Sequence, residues 1–254
     1  MISIMLKNKV IRRLIAVLFA LTVWQIAAMI VNEDFLFPTP IGVVLRLLTI
    51  WQEDGFFYII ANSFLKIVIG FLSGLVLGLA LAILAAKLPI IEDLLWPFMI
   101  TAKSVPVASF IVLALMWLTS KELSVFISFL MVLPIIYTNI LEGIKNSNRD
   151  IDKMAEVFKM SFGRKIIYVW LPRIKPFLLS ASSIAIGLSW KAGIASELIG
   201  IPSSSLGEML YYSKIYFNTL DLFAWTLIIV ALSISFEKIF VALLKYVFRR
   251  IEKI

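Results

Sequence analysis

Six apolar runs, each close to the length of a bilayer crossing, constrain this chain more than any other feature. They fall at roughly 11–31, 57–86, 98–119, 123–141, 177–199 and 222–246. About 20 apolar residues in a helix cross the ~30 Å of hydrocarbon in a bilayer. Hydrocarbon offers backbone polar groups no partner, so runs of this kind must pair their N–H and C=O groups internally, as helices do. Composition agrees: 61% of the 254 residues are hydrophobic, 16% are charged, and the mean hydropathy is +1.00. A soluble domain carries about a quarter charged residues. The chain reads as a single all-α membrane domain over 1–254, with an N-terminal span at 11–31 and core spans across 57–246. The second run exceeds a perpendicular crossing and is expected to tilt or project. A connection at 87–97 is expected to turn the chain into the third.

Charge then orients the bundle. Lys7, Lys9, Arg12 and Arg13 precede the first run, which from Leu14 to Val31 is long for a signal-peptide core and lacks a small-x-small cleavage site. It is expected to be a retained span. The loop from Asn32 to Gly55 holds Arg46 against Glu33, Asp34, Glu53 and Asp54. By contrast, the segment 142–175 holds Lys145, Arg149, Lys153, Lys159, Arg164, Lys165, Arg173 and Lys175, and the C-terminus adds Lys245, Arg249, Arg250 and Lys253. Basic residues concentrate on the cytoplasmic side, so both termini and 142–175 are expected there. The same rule accounts for the net charge of +8 without nucleic acid.

Two loops on the opposite side carry structure signals. Phe37-Pro38-Thr39-Pro40 opens an amphipathic segment with Val43, Val44, Leu47 and Leu48 at helical spacing, which reads as an interfacial helix. Gly200 to Gly207 is turn-rich and precedes a short polar helix; it reads as an ordinary loop.

Inside the spans, Gly70, Gly74 and Gly78 recur every four residues and form one small-residue stripe for close helix packing. Pro106 and Pro134 lie within the third and fourth runs, where each removes a backbone hydrogen bond and can kink its helix. Charges in a bilayer need a partner or a wet path. Lys66 and Lys103 lie within snorkelling reach of an interface. Lys191, in Ser189-Trp190-Lys191-Ala192-Gly193, is deeper, and Glu197 follows nearer the outer end. Lys103, Trp190, Lys191 and Glu197 are the candidates for facing a pathway. A structural Lys191–glutamate pair inside the bundle is the rival reading.

Several chemistries are excluded. With no Cys and no His, the chain has no disulfide, no Cys/His metal site and no His-based catalysis. No carboxylate pair or nucleophile–base constellation stands out, so no catalytic residue and no metal ligand is assigned. No G-x-x-x-x-G-K-[ST] phosphate loop occurs. Uphill transport would need an ion gradient or a partner subunit.

The cytoplasmic segment Asp152 to Pro172, DKMAEVFKMSFGRKIIYVWLP, is the outlier. Asp150 or Asp152 can cap a short helix there, and Met154, Ala155, Val157 and Phe158 give it an apolar surface flanked by Glu156 and Lys159. Apolar side chains presented to the cytoplasm suit a protein groove.

That segment resembles the "EAA" loop of permease subunits of binding-protein-dependent ABC importers. Counting back from Leu171-Pro172 puts Ala155 on the family alanine and Ser161 on a common serine. The family glycine falls on Lys159, with Gly163 four residues on, and the acidic position falls at or beside Asp152-Lys153. Phe37-Pro38-Thr39-Pro40 resembles the family's F-P-x-P entry to the outer amphipathic segment, and Lys103-Ser104-Val105-Pro106 its third span; Trp190 to Glu197 and Leu222 to Thr226 are similar to the nitrate/taurine/sulfonate branch. The resemblance implies the six-helix, type I importer (MetI-like) permease fold in a bacterial cytoplasmic membrane. It implies that Asp152, Met154, Ala155, Glu156, Val157, Phe158, Lys159, Ser161 and Gly163 form or flank a coupling helix seated on an ATPase. The implied partners are two ATPase copies, a second permease copy as a homodimer, and an extracytoplasmic solute-binding protein. No cofactor is implied for this chain, since ATP and Mg would sit on the ATPase. The competing class, an ion-gradient-driven secondary transporter, would favour inverted repeats and midplane carboxylates; neither stands out here.

Overall fold

The computed structural model describes residues 9–251, apart from 32, 34, 146–153, 155 and 156, and among them it contains helices and no strand. In chain order the helices are α1 (Lys9–Val31), α2 (Pro40–Leu47), α3 (Phe56–Lys87), α4 (Pro89–Ser104), α5 (Val107–Ala114), α6 (Ser120–Lys145), α7 (Phe162–Lys165), α8 (Leu171–Gly200), α9 (Leu206–Ile215) and α10 (Thr219–Ile251). A 3₁₀ turn, Ile50–Gln52, follows α2, and a π-helical turn, Ile166–Trp170, joins α7 to α8.

The centre of the bundle is α6 between α3 and α8. Lipid is as apolar as leucine, so close packing rather than the hydrophobic effect must hold membrane helices together. The glycine stripe supplies it. A Cβ on Gly70 would stand 2.7 Å from Ser128 Cβ, one on Gly74 2.8 Å from Val132 Cβ, and one on Gly78 3.0 Å from Ile136 Cβ, all on α6. Gly193 of α8 is equally tight, against Ile67 of α3 and Ser128 of α6. Aromatic edges seal the flank, where Phe236 and Phe240 of α10 meet Phe71 of α3 at 5.6 and 4.9 Å between ring centres.

The third expected span is not one helix. α4 and α5 meet at Val105-Pro106 with a bend of 105°. Proline lacks the N–H that would continue the ladder and pushes the preceding residue to extended geometry, and Val105 takes φ −76°, ψ 133°. Pro106 therefore breaks the run that was expected to kink. The 87–97 connection is also corrected: Pro89 starts α4, so the turn is Leu88 alone. Pro134 stays inside α6, and Thr138 Oγ1 donates to its carbonyl at 2.7 Å. Among the described residues, five helices are long and apolar enough to cross a bilayer, or six with the bent α4–α5 pair counted as one span.

The periphery is tied by specific contacts. The α1 indole of Trp24 donates to Pro38 O at 3.0 Å, and its ring packs on Phe37 and on Phe223 of α10. Thr39 caps α2 by accepting from Gly42 N–H at 3.1 Å. Arg46 of α2 pairs with Asp221 of α10 and with Glu53, and the hydrogen bond to Asp221 raises the pKa of its guanidinium. It stays charged at any physiological pH.

Candidate functional site

At the end of the bundle where α6 finishes and α8 begins, the segment expected to couple to an ATPase is partly described. Asp152, Ala155 and Glu156 lie outside the described residues. Met154, Val157 and Phe158 are 58%, 79% and 71% exposed, and Phe158 N–H donates to Met154 O at 3.0 Å, closing one helical turn. The turn ends at Lys159, whose φ of +45° is the left-handed geometry that glycine adopts most easily. This is the residue on which the resemblance places a glycine. Gly163 has no positive φ, and a Cβ there would meet nothing, so neither reason for a glycine applies to it. Ser161 is exposed, and its carbonyl accepts from Lys165 N–H at 2.9 Å. From α7 the backbone stays helical through the π turn into α8, so 163–200 forms one rod. Val169 and Trp170 bury the junction.

The four pathway candidates do not converge. Trp190 is buried against Phe64, with ring centres 5.8 Å apart. Lys191 is exposed, in a stripe of α8 with Ile184, Leu188 and Leu198 that no other described helix covers. Lys103 is exposed on α4 and donates to Thr138 Oγ1 of α6 at 2.9 Å. Glu197 is fully buried. Lys191 and Glu197 form no pair. Six residues at about 100° each place them about 240° apart around the helix.

Glu197 instead anchors the loop at the opposite end, which was expected to be ordinary. Its Oε2 accepts from Ser63 Oγ of α3 at 2.7 Å and from the backbone N–H of Gly207, at the start of α9, at 3.2 Å. Ser63 Oγ also accepts from Leu206 N–H at 2.9 Å. A Cβ on Gly207 would overlap the Cβ and backbone of Glu197, so α9 docks here only through glycine. Asn62 donates to Ser204 O at 2.7 Å, and Glu208 accepts from Ser204 N–H at 2.6 Å. Ile201 and Ser204 take positive φ to make the turn. Ser124 of α6 lies beside the carboxyl, within interaction range of it. Sequence reasoning missed Ser63, Asn62 and Gly207. The available signal was the acid itself, since a buried carboxyl demands donors.

A broken third span, a glycine-docked loop at one end of the bundle and an exposed apolar turn leading into α8 at the other can now be set beside known proteins. The profile of the binding-protein-dependent transport system inner membrane component family matches residues 74–253. The chain belongs to this family. Similar curated members include the nitrate import permease protein of Leptolyngbya laminosa, 29% identical over 148 residues, 58% of this chain and 53% of that protein. The chain thus spans about half the length of that relative. It is 27% identical over 211 residues to the putative aliphatic sulfonates transport permease protein of Bacillus subtilis, covering 82% of this chain and 76% of that one. It is 24% identical over 199 residues to the taurine transport system permease protein of Escherichia coli, covering 74% and 72%. For an inner membrane component, the apolar helices need no further account. The family match covers α6, α8, α9, α10 and α3 from Gly74 onward, so Glu197 and Gly207 lie within it while Ser63 and Gly70 precede it.

Proposed function

We propose that this chain is the permease subunit of an ATP-driven importer, that it works as a homodimer in the bacterial cytoplasmic membrane, and that its solute is small and carries an acidic group. The observation that supports this reading is the turn of Met154, Val157 and Phe158, exposed on a segment continuous with the central helix α8. A soluble protein surface rarely presents three such side chains together without a partner. A groove on the ATPase is the matching occupant, and α8 is the lever that receives its motion. Two ATPase copies would bind ATP and Mg. An extracytoplasmic binding protein would deliver solute at the α9 end, with both chain termini in the cytoplasm. The acidic solute rests on the names of the nitrate, sulfonate and taurine relatives together with exposed Lys103 and Lys191.

The test is reconstitution of the chain with its ATPase and binding protein in vesicles. Uptake should require ATP, and Phe158→Asp should insert normally yet fail to co-purify with the ATPase. Uptake that persists without the ATPase and collapses with the ion gradient would replace this reading with a secondary transporter.

A further inference from the structure

The helix α4 is held to the bundle at few points. Extended residues cut it off at both ends. Leu88 (φ −126°, ψ 98°) alone links it to α3, and Val105-Pro106 carries the 105° bend into α5. Between these hinges Met99 is its only buried side chain. Ile90, Leu94 and Phe98, four residues apart, lie exposed on one face. Glu92, Trp96, Met99 and Lys103 recur at i, i+4, i+7 and i+11 and line a cavity of about 430 Å³ between α4 and α6. Two side-chain contacts bridge it. Glu92 pairs with Lys145 at the end of α6, partly exposed, and Lys103 Nζ donates to Thr138 Oγ1 at 2.9 Å. Contacts as exposed as these restrain a helix weakly.

The α6 wall of the cavity is unfinished. Tyr137 is only 3% exposed, yet its hydroxyl has no partner, and a buried donor left unmet costs free energy. Glu92 of α4 lies within electrostatic reach of that hydroxyl. Side chains facing a void also forgo dispersion contacts on that side. One movement of α4 towards α6 would relieve both deficits. We propose that α4 is a strap that swings on Leu88 and Val105-Pro106 and closes onto α6, with the Glu92 carboxylate exchanging the Lys145 ammonium for the Tyr137 hydroxyl. In the open form Lys145 donates to Glu92; in the closed form Tyr137 Oη–H donates to it and Trp96 fills the cavity. The partly exposed pair given up is weak and the hydrogen bond gained is buried, so the two forms lie close enough in free energy for both to be populated.

Cross-linking of the full chain in nanodiscs tests the strap. The chain has no cysteine, so an introduced pair reports only on itself. Trp96→Cys on the α4 wall and Leu141→Cys on the α6 wall should form a disulfide fastest in the closed form. Adding Lys145→Met removes the open-form partner and should speed the cross-link about fivefold, whereas adding Tyr137→Phe removes the closed-form donor and should slow it about fivefold. A purely structural contact would instead loosen α4 in the first variant and leave the second unchanged. Hydrogen exchange of α4 in the cysteine-free chain repeats the reading without a cross-link, slower in Lys145→Met and faster in Tyr137→Phe. Rates that move the same way in both variants, or do not move, would overturn the proposal, as would a pair that never cross-links in any folded background. The motion belongs to this chain alone, so it stands or falls separately from the permease reading, which ATP-driven uptake tests.

Discussion

The two ends of the α3–α6–α8 core are built on opposite terms. At the α9 end, Glu197 is fully buried and its Oε2 holds a serine and a backbone N–H, while Gly207 lets α9 dock against α8 with no side chain between. At the loop end, α4 and α6 leave an open cavity, a tyrosine hydroxyl goes unpartnered, and the closing ion pair is half exposed. Close packing resists deformation, whereas exposed ion pairs cost little to open. A transporter must keep one surface in shape for delivery while another changes. On the proposed permease reading, the first role falls to the α9 end and the second to the loop end.

The largest expected effect breaks the rigid end. Gly207→Leu drives a side chain into Glu197, so purified protein should lose more than about 3 kcal/mol of stability or fail to fold. Gly163→Leu is its control, since a Cβ there meets nothing, and should change thermal unfolding by less than about 0.5 kcal/mol. Equal effects at both glycines would remove the contrast between the ends.

Next is Glu197 itself. Glu197→Ala strands the Ser63 hydroxyl and the Gly207 N–H and should cost about 2–4 kcal/mol. Glu197→Gln keeps an acceptor oxygen and should cost under about 1 kcal/mol, read from thermal unfolding in the same detergent. If Gln proved as damaging as Ala, charge rather than hydrogen bonding would hold the loop. At the other end Glu92→Gln removes one member of a partly exposed pair and should shift stability by less than about 1 kcal/mol. Hydrogen exchange should nonetheless accelerate at the start of α4.

What the sequence disclosed follows from range. The glycine stripe of α3 is legible because four-residue spacing is local, and it packs as read. Pro106 and Pro134 look alike in sequence, yet one breaks the chain through 105° and the other stays in a helix, because neighbours decide what a missing N–H becomes. Glu197 and Ser63 are 134 residues apart, and no periodicity links them. The same holds for Lys103 and Thr138, 35 apart across the α4–α5 break where the sequence reading expects one kinked span. Long-range polar contacts in a bundle are set by helix rotation and depth, which apolar run lengths leave open.

The smallest expected effect concerns the turn after Phe158. Lys159 holds φ at +45°, which an L side chain adopts at a cost of about 1 kcal/mol relative to glycine. Lys159→Gly should relieve that strain in the folded turn, while glycine's extra freedom in the unfolded chain offsets part of the gain. The net change should be a stabilisation below about 1 kcal/mol. It should appear as slower proteolysis between 154 and 162 with no change in global unfolding. The exposed faces of Met154, Val157 and Phe158 are untouched by the substitution, so ATPase association should be retained. A faster-cut loop would mean that the lysine side chain contributes more to the turn than its backbone strain removes. The loop end would then be held more firmly than its exposed ion pair and open cavity indicate.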